Sequence, residues 1–161
     1  MKKVLVLLTI MILFFSLTAV SAYSSGRPTI QCQKFSIDIP EGFEKTEAWS
    51  DYDKPVNEVF LGTGIPKKGE VHRYLIMDEV SSFPKFSKKI IVYENYTDGN
   101  LKIFKCRNPK EDVFENFTLS EFNKEGHHFV IFINYAGDIT RLNMNDEVKL
   151  VKDIKESTSI K

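Results

Sequence analysis

The strongest constraint on the fold of this chain is the segment 89–107, KIIVYENYTDGNLKIFKCR, which is typical of a β-hairpin. Two runs of β-branched and aromatic residues flank Asp98-Gly99, and this pair favours a two-residue turn because both residues tolerate positive φ. Since side chains alternate along a strand, pairing outward from that turn predicts one core-facing set. Its members are Ile91, Tyr93, Phe104 and Cys106. We expect the other face to be wetter because it carries Glu94, Lys105 and Arg107.

The N-terminus has the pattern of an export signal. Lys2 and Lys3 precede an apolar run over 4–17, which is followed by Val20-Ser21-Ala22. Such a segment is typical of a cleaved signal peptide. We therefore expect residues 1–22 to be removed and residues 23–34 to form a flexible leader. The alternative is a retained membrane anchor, because the apolar segment approaches the roughly 20 residues that span a bilayer. Both alternatives predict a secreted or cell-surface protein.

The mature chain suits a single α+β domain over residues 35–161. Removing 22 of the 161 residues leaves 139, enough for one compact domain with a sizeable core. Loss of Lys2 and Lys3 changes the formal net charge from 0 to −2. This balance, without clusters of basic and aromatic residues, argues against binding of nucleic acid. We expect an extracellular or cell-envelope ligand, and membrane association only if the signal segment is retained.

The chain contains two cysteines, Cys32 and Cys106. Export would place them in a compartment where disulfides persist, and an even pair favours a bridge between them. The alternative is two separate buried thiols that behave as small apolar side chains. No histidine lies at ligand spacing from either cysteine, so a zinc site is not predicted.

Two sequons offer acceptor sites for N-linked glycans. Asn95 begins Asn-Tyr-Thr near the hairpin tip, and Asn116 begins Asn-Phe-Thr within an apolar stretch. Asn95 is therefore expected to be the more accessible of the two. Whether either is modified depends on the host.

Alternation of apolar and polar residues predicts the other strands. We expect strands over residues 35–39, 56–62 and 71–80. The segment 113–123 fits either a strand or a capped helix, and a strand is preferred because a strong strand follows. That following segment, 128–135, is apolar on both faces, which predicts a central position in the sheet.

A helix is predicted near the C-terminus. Asn143 is a suitable N-cap, and Asp146 and Glu147 would lie in the first turn, where the helix dipole favours negative charge. An apolar stripe at helical spacing follows, formed by Val148, Leu150, Val151 and Ile154. The predicted fold class is α+β: an antiparallel β-sheet with a C-terminal helix packed on one face.

The opening strand resembles that of a known group of exported proteins. The segment 35–43, with the pattern F-x-I-x-I-P-x-G-F, together with a closing helix that ends in Ile154-Lys-Glu-Ser157, resembles small PsbP/Mog1-like α/β-sandwich proteins. Members of that group serve as binding or assembly modules and share no single reaction. The resemblance therefore implies a binding role and assigns no catalytic residue.

Residues that could carry chemistry are few. His127 and His128 are adjacent and would point to opposite faces of a strand, and His72 has no visible partner. Asp51 and Asp53 could join a calcium site, but no EF-hand pattern surrounds them. No cofactor or metal is predicted. We expect a non-catalytic binding or cell-envelope module, and the alternative is a small extracellular hydrolase or metal-dependent enzyme.

Overall fold

The computed structural model describes residues 26–46, 58–64, 71–83, 85, 89–110, 115–136 and 143–161. In these ranges the chain forms ten strands and one helix. They are β1 (Thr29–Gln31), β2 (Phe35–Asp38), β3 (Phe43–Lys45), β4 (Glu58–Thr63), β5 (His72–Glu79), β6 (Ile91–Asp98), β7 (Leu101–Arg107), β8 (Asn116–Lys124), β9 (His127–Ala136), α1 (Met144–Ser157) and β10 (Ser159–Ile160).

Seven strands form one antiparallel sheet in the order β3-β4-β5-β9-β8-β7-β6. A second sheet has the order β1-β2-β10, and both neighbours of β2 are antiparallel to it. The helix α1 contacts β2 and also β6, β7 and β8 of the large sheet. This arrangement confirms the α+β class, with an antiparallel sheet and a C-terminal helix on one of its faces. It also confirms the central position predicted for β9 and the strand preferred for β8.

The main core lies between the large sheet and the layer formed by α1 and β2. We call this side of the large sheet the helix face. Phe129 of β9 meets Phe35 of β2 edge-to-face with ring centroids 5.0 Å apart, and it stacks on Phe122 of β8 at 5.1 Å. All three rings are fully buried. The three aromatic rings therefore join the two sheets at the middle of the core.

The opposite side of the large sheet, which we call the outer face, carries a smaller apolar cluster. Its buried members are Cys106, Phe117, Leu119 and Val130. Val80, Phe83 and Ile90, which lie between β5 and β6 in the chain, pack against these side chains. The strands β7, β8 and β9 are thus apolar on both faces where the two clusters overlie one another.

The hairpin is present, but its turn and register differ from the prediction. Asp98 pairs with Leu101, so Gly99 and Asn100 form the turn, and Gly99 adopts a φ of 58°. Glycine at the first of two central positions is typical of a type II′ turn. The Asn100 amide donates a hydrogen bond to the Asn123 carbonyl at 2.8 Å, and its oxygen accepts one from Lys155 at 2.6 Å. These contacts with β8 and α1 hold Asn100 in the turn.

The predicted core-facing set of the hairpin is confirmed only in part, because Cys106 is buried and Phe104 packs against the outer cluster, whereas Ile91 and Tyr93 are exposed. The strand β6 is the last strand of the large sheet, and a bulge between Val92 and Glu94 shifts its register. Ile91 is 53% exposed and Tyr93 is 51% exposed. Conversely, Lys105 on the face predicted to be wetter is buried. An edge strand has a neighbour on one side only, so its apolar side chains gain less cover than the pattern suggests.

The predicted helix is confirmed together with its cap. The side chain of Asn143 accepts a hydrogen bond from the backbone N–H of Asp146 at 2.9 Å. Leu150, Val151 and Ile154 are buried against the core, as the apolar stripe predicts. No helix within the described ranges has the length and apolar character needed to cross a membrane.

The segment predicted as a flexible leader contains ordered structure. The strand β1 pairs with β2, and the Ile39 backbone N–H donates to the Pro28 carbonyl at 2.7 Å. Arg27 is tied to α1 by two hydrogen bonds to Asp153. From residue 26 onward the predicted leader is therefore part of the folded domain. The predicted signal peptide, 1–22, lies outside the described residues.

The two cysteines are free thiols, which corrects the predicted disulfide. Cys32 belongs to the core cluster on the helix face, whereas Cys106 belongs to the cluster on the outer face. The alternation of side chains along β7 turns Cys106 away from Cys32. A disulfide between Cys32 and Cys106 would require one of the two side chains to move to the other face of the large sheet.

We expect two free thiols per chain in denatured, unreduced mature protein. In the native state both should react slowly with a thiol reagent because both are buried, and burial raises the pKa of Cys106 to about 11. Thiol titration with and without denaturant measures both quantities, and a reduced sample gives the reference count. Finding no thiol in the denatured, unreduced sample would show that the bridge forms.

Candidate functional site

An open groove of ≈ 610 Å³ runs between α1 and the turn that joins β2 to β3. Its apolar lining consists of Pro40, Phe43 and Leu150. The chain turns between β2 and β3, where Gly42 adopts a φ of 81° and the Phe43 backbone N–H donates to the Pro40 carbonyl at 3.1 Å, and this turn forms one side of the groove. A volume of this size is in the range of small-molecule sites.

The described lining of the groove carries both signs of charge in equal number. Four side chains are basic and four are acidic: Arg27, Arg73, Lys149, Lys152, Glu41, Asp146, Asp153 and Glu156. Five of these residues lie on α1, where two lysines are flanked by acidic residues on both sides, so one wall of the groove carries both signs of charge. A groove with this lining complements a ligand that itself carries both charges.

Two of the lining cations donate hydrogen bonds to acidic side chains. Arg27 donates two hydrogen bonds to the Asp153 carboxylate, at 2.5 and 2.9 Å, and both residues of this bidentate pair line the groove. Lys152 donates to Asp98 of β6 at 2.8 Å, and this hydrogen bond raises the pKa of Lys152. Arg73 and Lys149 are the lining cations outside these two pairs.

A row of polar side chains crosses the helix face of the large sheet and starts at the groove. Its members, in order from β5 to β6, are Arg73, Tyr135, Thr118, Lys105 and Glu94. The registers pair Arg73 with Tyr135, Thr118 with Lys105 and Lys105 with Glu94, whereas Thr118 pairs with Ile133 of β9 and so lies diagonal to Tyr135. The hydroxyls of Tyr135 and Thr118 are 2.5 Å apart, and Lys105 donates to Glu94 at 3.0 Å. We call these five residues the polar row.

Glu147 of α1 lies over the polar row and has no exposed surface. Neither of its carboxylate oxygens makes a hydrogen bond of good geometry, although the Tyr135 hydroxyl is close enough to favour the ionised form, and the guanidinium of Arg73 lies 3.7 Å from Oε1. Burial raises the pKa of Glu147, and the Tyr135 hydroxyl and the charges of Arg73 and Lys105 oppose this shift only in part. Burial also raises the pKa of Tyr135 far above its usual value. The same Arg73 thus contacts a buried acid and lines an open groove.

The predicted histidines occupy separate places. Nδ1 of His127 lies 2.8 Å from Glu79, and Nε2 of His128 lies 3.2 Å from Glu121. Along β9, His127 shares a face with Phe129, which belongs to the core cluster on the helix face. His128 shares a face with Val130, which belongs to the outer cluster, so the two pairs lie on opposite faces of the sheet. The adjacent histidines therefore point apart, as predicted.

Other predicted candidates are dispersed or fall outside the described ranges. His72 lies beside Thr63 and the Gly64 carbonyl, at 3.4 and 3.2 Å, on the strands β4 and β5. Asp51 and Asp53 lie outside the described residues. Asn95 is exposed on the edge strand β6, whereas Asn116 is partly buried at the start of β8. This difference agrees with the expected order of accessibility and leaves glycosylation itself a prediction.

Sequence analysis did not find the buried acid. The sequence pattern places Glu147 in the first helical turn and makes no prediction about its burial, and the structure places it on the buried side of α1 with Val151 and Ile154. A signal was present, because positions 147, 151 and 154 recur at helical spacing. Arg73 carried no such signal, since its role depends on β5 passing beneath the start of α1.

Within the part of the chain that the structure describes, no three or more His, Cys, Asp or Glu side chains gather as potential metal ligands. No protein-family model matches this chain, and comparison with curated protein sequences finds no match.

Proposed function

We propose that this protein is an exported, non-catalytic binding module of the cell envelope or extracellular space, and that its ligand occupies the groove beside α1. The observation that carries the proposal is the groove itself, with an apolar floor and walls of both charges. The export signal in the sequence and the resemblance to PsbP/Mog1-like binding modules support the same role. No nucleic acid is expected as a partner, because the mature chain carries a net charge of −2.

The ligand class follows from the lining of the groove. Arg73 and Lys149 attract an anionic group, while Glu41 and Asp146 attract a cationic one. Phe43 and Leu150 offer apolar contact between them. Short peptides carry this combination, since they have a carboxylate, an amine and side chains of varied polarity.

A titration observed by NMR tests the proposal. Mature protein labelled with ¹⁵N is titrated with a panel of di- and tripeptides of differing charge. Saturable shifts are expected at residues that line the groove, and a Leu150→Lys variant should weaken them. The matched control is Leu119→Lys on the outer face, provided that its spectrum shows a native fold. Saturable shifts that arise only away from the groove would contradict the proposal.

A small hydrolase is the alternative, favoured by the pair of His127 and Glu79. A carboxylate that accepts a hydrogen bond from an imidazole orients the ring as in many general bases. Glu79 lies 2.8 Å from His127 and 3.2 Å from Lys34, and the His127 ring is partly exposed. Chromogenic esters and peptides test this alternative, which requires turnover that is lost in His127→Ala and kept in His128→Ala.

A further inference from the structure

The residue that joins the groove to the buried acid is Arg73. Arg73 lines the groove, and its guanidinium forms an ion pair with Glu147 at 3.7 Å. A separation of 3.7 Å is longer than a hydrogen bond, so the two groups attract each other without being locked together. The Arg73 side chain is about one-fifth exposed, whereas that of Glu147 is fully buried. Arg73 can therefore turn toward a ligand, and Glu147 cannot turn toward water.

We propose that this end of the groove is a carboxylate subsite in which a ligand carboxylate pairs with Arg73, and that Glu147 takes up one proton from solvent when the ligand binds. The inference rests on the proposed binding function of the groove. A carboxylate matches the planar guanidinium in a bidentate way. Its single charge also suits walls that carry acidic residues, which would repel a phosphate dianion more strongly.

The proton uptake follows from the charges that face Glu147 from each neighbouring element. Arg73 of β5 and Lys105 of β7 favour the ionised form, while Asp146 of α1 opposes it. Tyr135 of β9 and Thr118 of β8 are uncharged because the first has a raised pKa and the second does not ionise. The Lys105 ammonium is engaged by Glu94 of β6 and lies over the ring of Tyr93.

A ligand in the groove can therefore draw the Arg73 guanidinium away from Glu147, whereas Lys105 stays paired with Glu94. A carboxylate on Arg73 cancels the attraction that helps keep Glu147 ionised and adds a second negative charge nearby. Both effects raise the pKa of Glu147, so the bound protein holds a proton that the free protein lacks. Because burial has already raised the pKa of Glu147 in the free protein, the window of proton uptake lies above pH 4.5.

The probe is triglycine, compared with triglycinamide, which lacks the carboxylate. Dissociation constants are measured by NMR between pH 4.5 and 7.0, where the peptide carboxylate is ionised and its amine is charged. For wild type, affinity for triglycine is expected to fall with rising pH, by up to about tenfold per pH unit. Triglycinamide should bind more weakly and without this dependence.

Two variants and one control complete the test. Glu147→Gln should bind triglycine with an affinity that does not change over the pH range, because its side chain does not titrate. Arg73→Gln combined with Glu147→Gln leaves no buried charge unpaired and should lose the preference for triglycine over triglycinamide. Glu125→Gln, in the β8–β9 turn, should behave as wild type.

The outcomes separate the two proposals. Saturable binding in the groove that is equally independent of pH in wild type and Glu147→Gln would overturn the proton uptake and leave the binding function standing. Equal affinities for triglycine and triglycinamide would overturn the carboxylate subsite. Absence of saturable groove shifts with either probe, and with the wider peptide panel, would overturn the binding function as well.

Discussion

Replacing Phe129 by alanine is expected to lower the free energy of unfolding by about 3–5 kcal/mol. The Phe129 ring is fully buried and contacts Phe35 of the small sheet and Phe122 of the large one, with centroids 5.0 and 5.1 Å away. Its removal leaves a cavity at the point where the two sheets meet. The neighbouring rings are held by their own strands, so they can close little of that space.

Urea unfolding of a protein comprising residues 23–161 measures this effect. The matched control is Phe132→Ala, three residues along the same strand. Phe132 stacks on Phe117 at 5.1 Å, but it lies on the outer face and is only partly buried. The control should cost clearly less than Phe129→Ala. Equal losses, or a larger loss for the control, would show that the outer cluster contributes as much stability as the core on the helix face.

Replacing Glu147 by methionine is expected to raise the free energy of unfolding by about 1–3 kcal/mol at neutral pH. The two side chains have similar length, and methionine removes a carboxylate whose oxygens have no hydrogen bond of good geometry and no exposure. Arg73 loses a partner 3.7 Å away but can turn into the groove. The gain from removing a desolvated charge should therefore exceed the loss of this long contact.

The pH dependence of that gain has a defined sign. The pKa of Glu147 is raised in the folded protein above the value of 4.5 for an unperturbed glutamate. Wild type therefore loses stability as pH rises from 4.5 through the folded-state pKa, and Glu147→Met should not. Urea unfolding at pH 4 and pH 7.5 should show the larger gain at pH 7.5.

A neighbouring acid provides the control for this second substitution. Asp146 is exposed and lies in the same helical turn, where the dipole stabilises its charge. Asp146→Asn should leave stability unchanged or slightly reduced at pH 7.5. A loss of stability in Glu147→Met, equal at both pH values, would mean that the carboxylate is a stabilising partner of Arg73.

Local patterns in the sequence were sufficient for most secondary structure. Alternation predicted β2, β4 and β5, and the continuous apolar run of β9 predicted its place between two neighbours. The N-cap of Asn143 and the stripe of α1 were predicted because capping and helical periodicity act over a few residues. These features depend on contacts between residues that are close in the chain, so they can be predicted from the sequence.

The tertiary structure decided the features that depend on distant residues. The hairpin turn lies one residue beyond the predicted one because Asn100 is held by Asn123 and Lys155. The exposure of Ile91 and Tyr93 follows from the edge position of β6, which no pattern within β6 records. The order of the strands in the chain does not show which strand will lie at the edge of the sheet.

The candidate site and the separation of the cysteines were likewise decided by tertiary structure. Whether Cys32 and Cys106 meet depends on which face of the large sheet each occupies, and β7 turns Cys106 to the outer face. The charge state of Glu147 depends on Arg73, 74 positions earlier in the chain, and on burial under α1. Sequence alone determined which groups were available and the local elements that carry them. Only the packing of those elements set the distances and the loss of solvent that give the groups their chemistry.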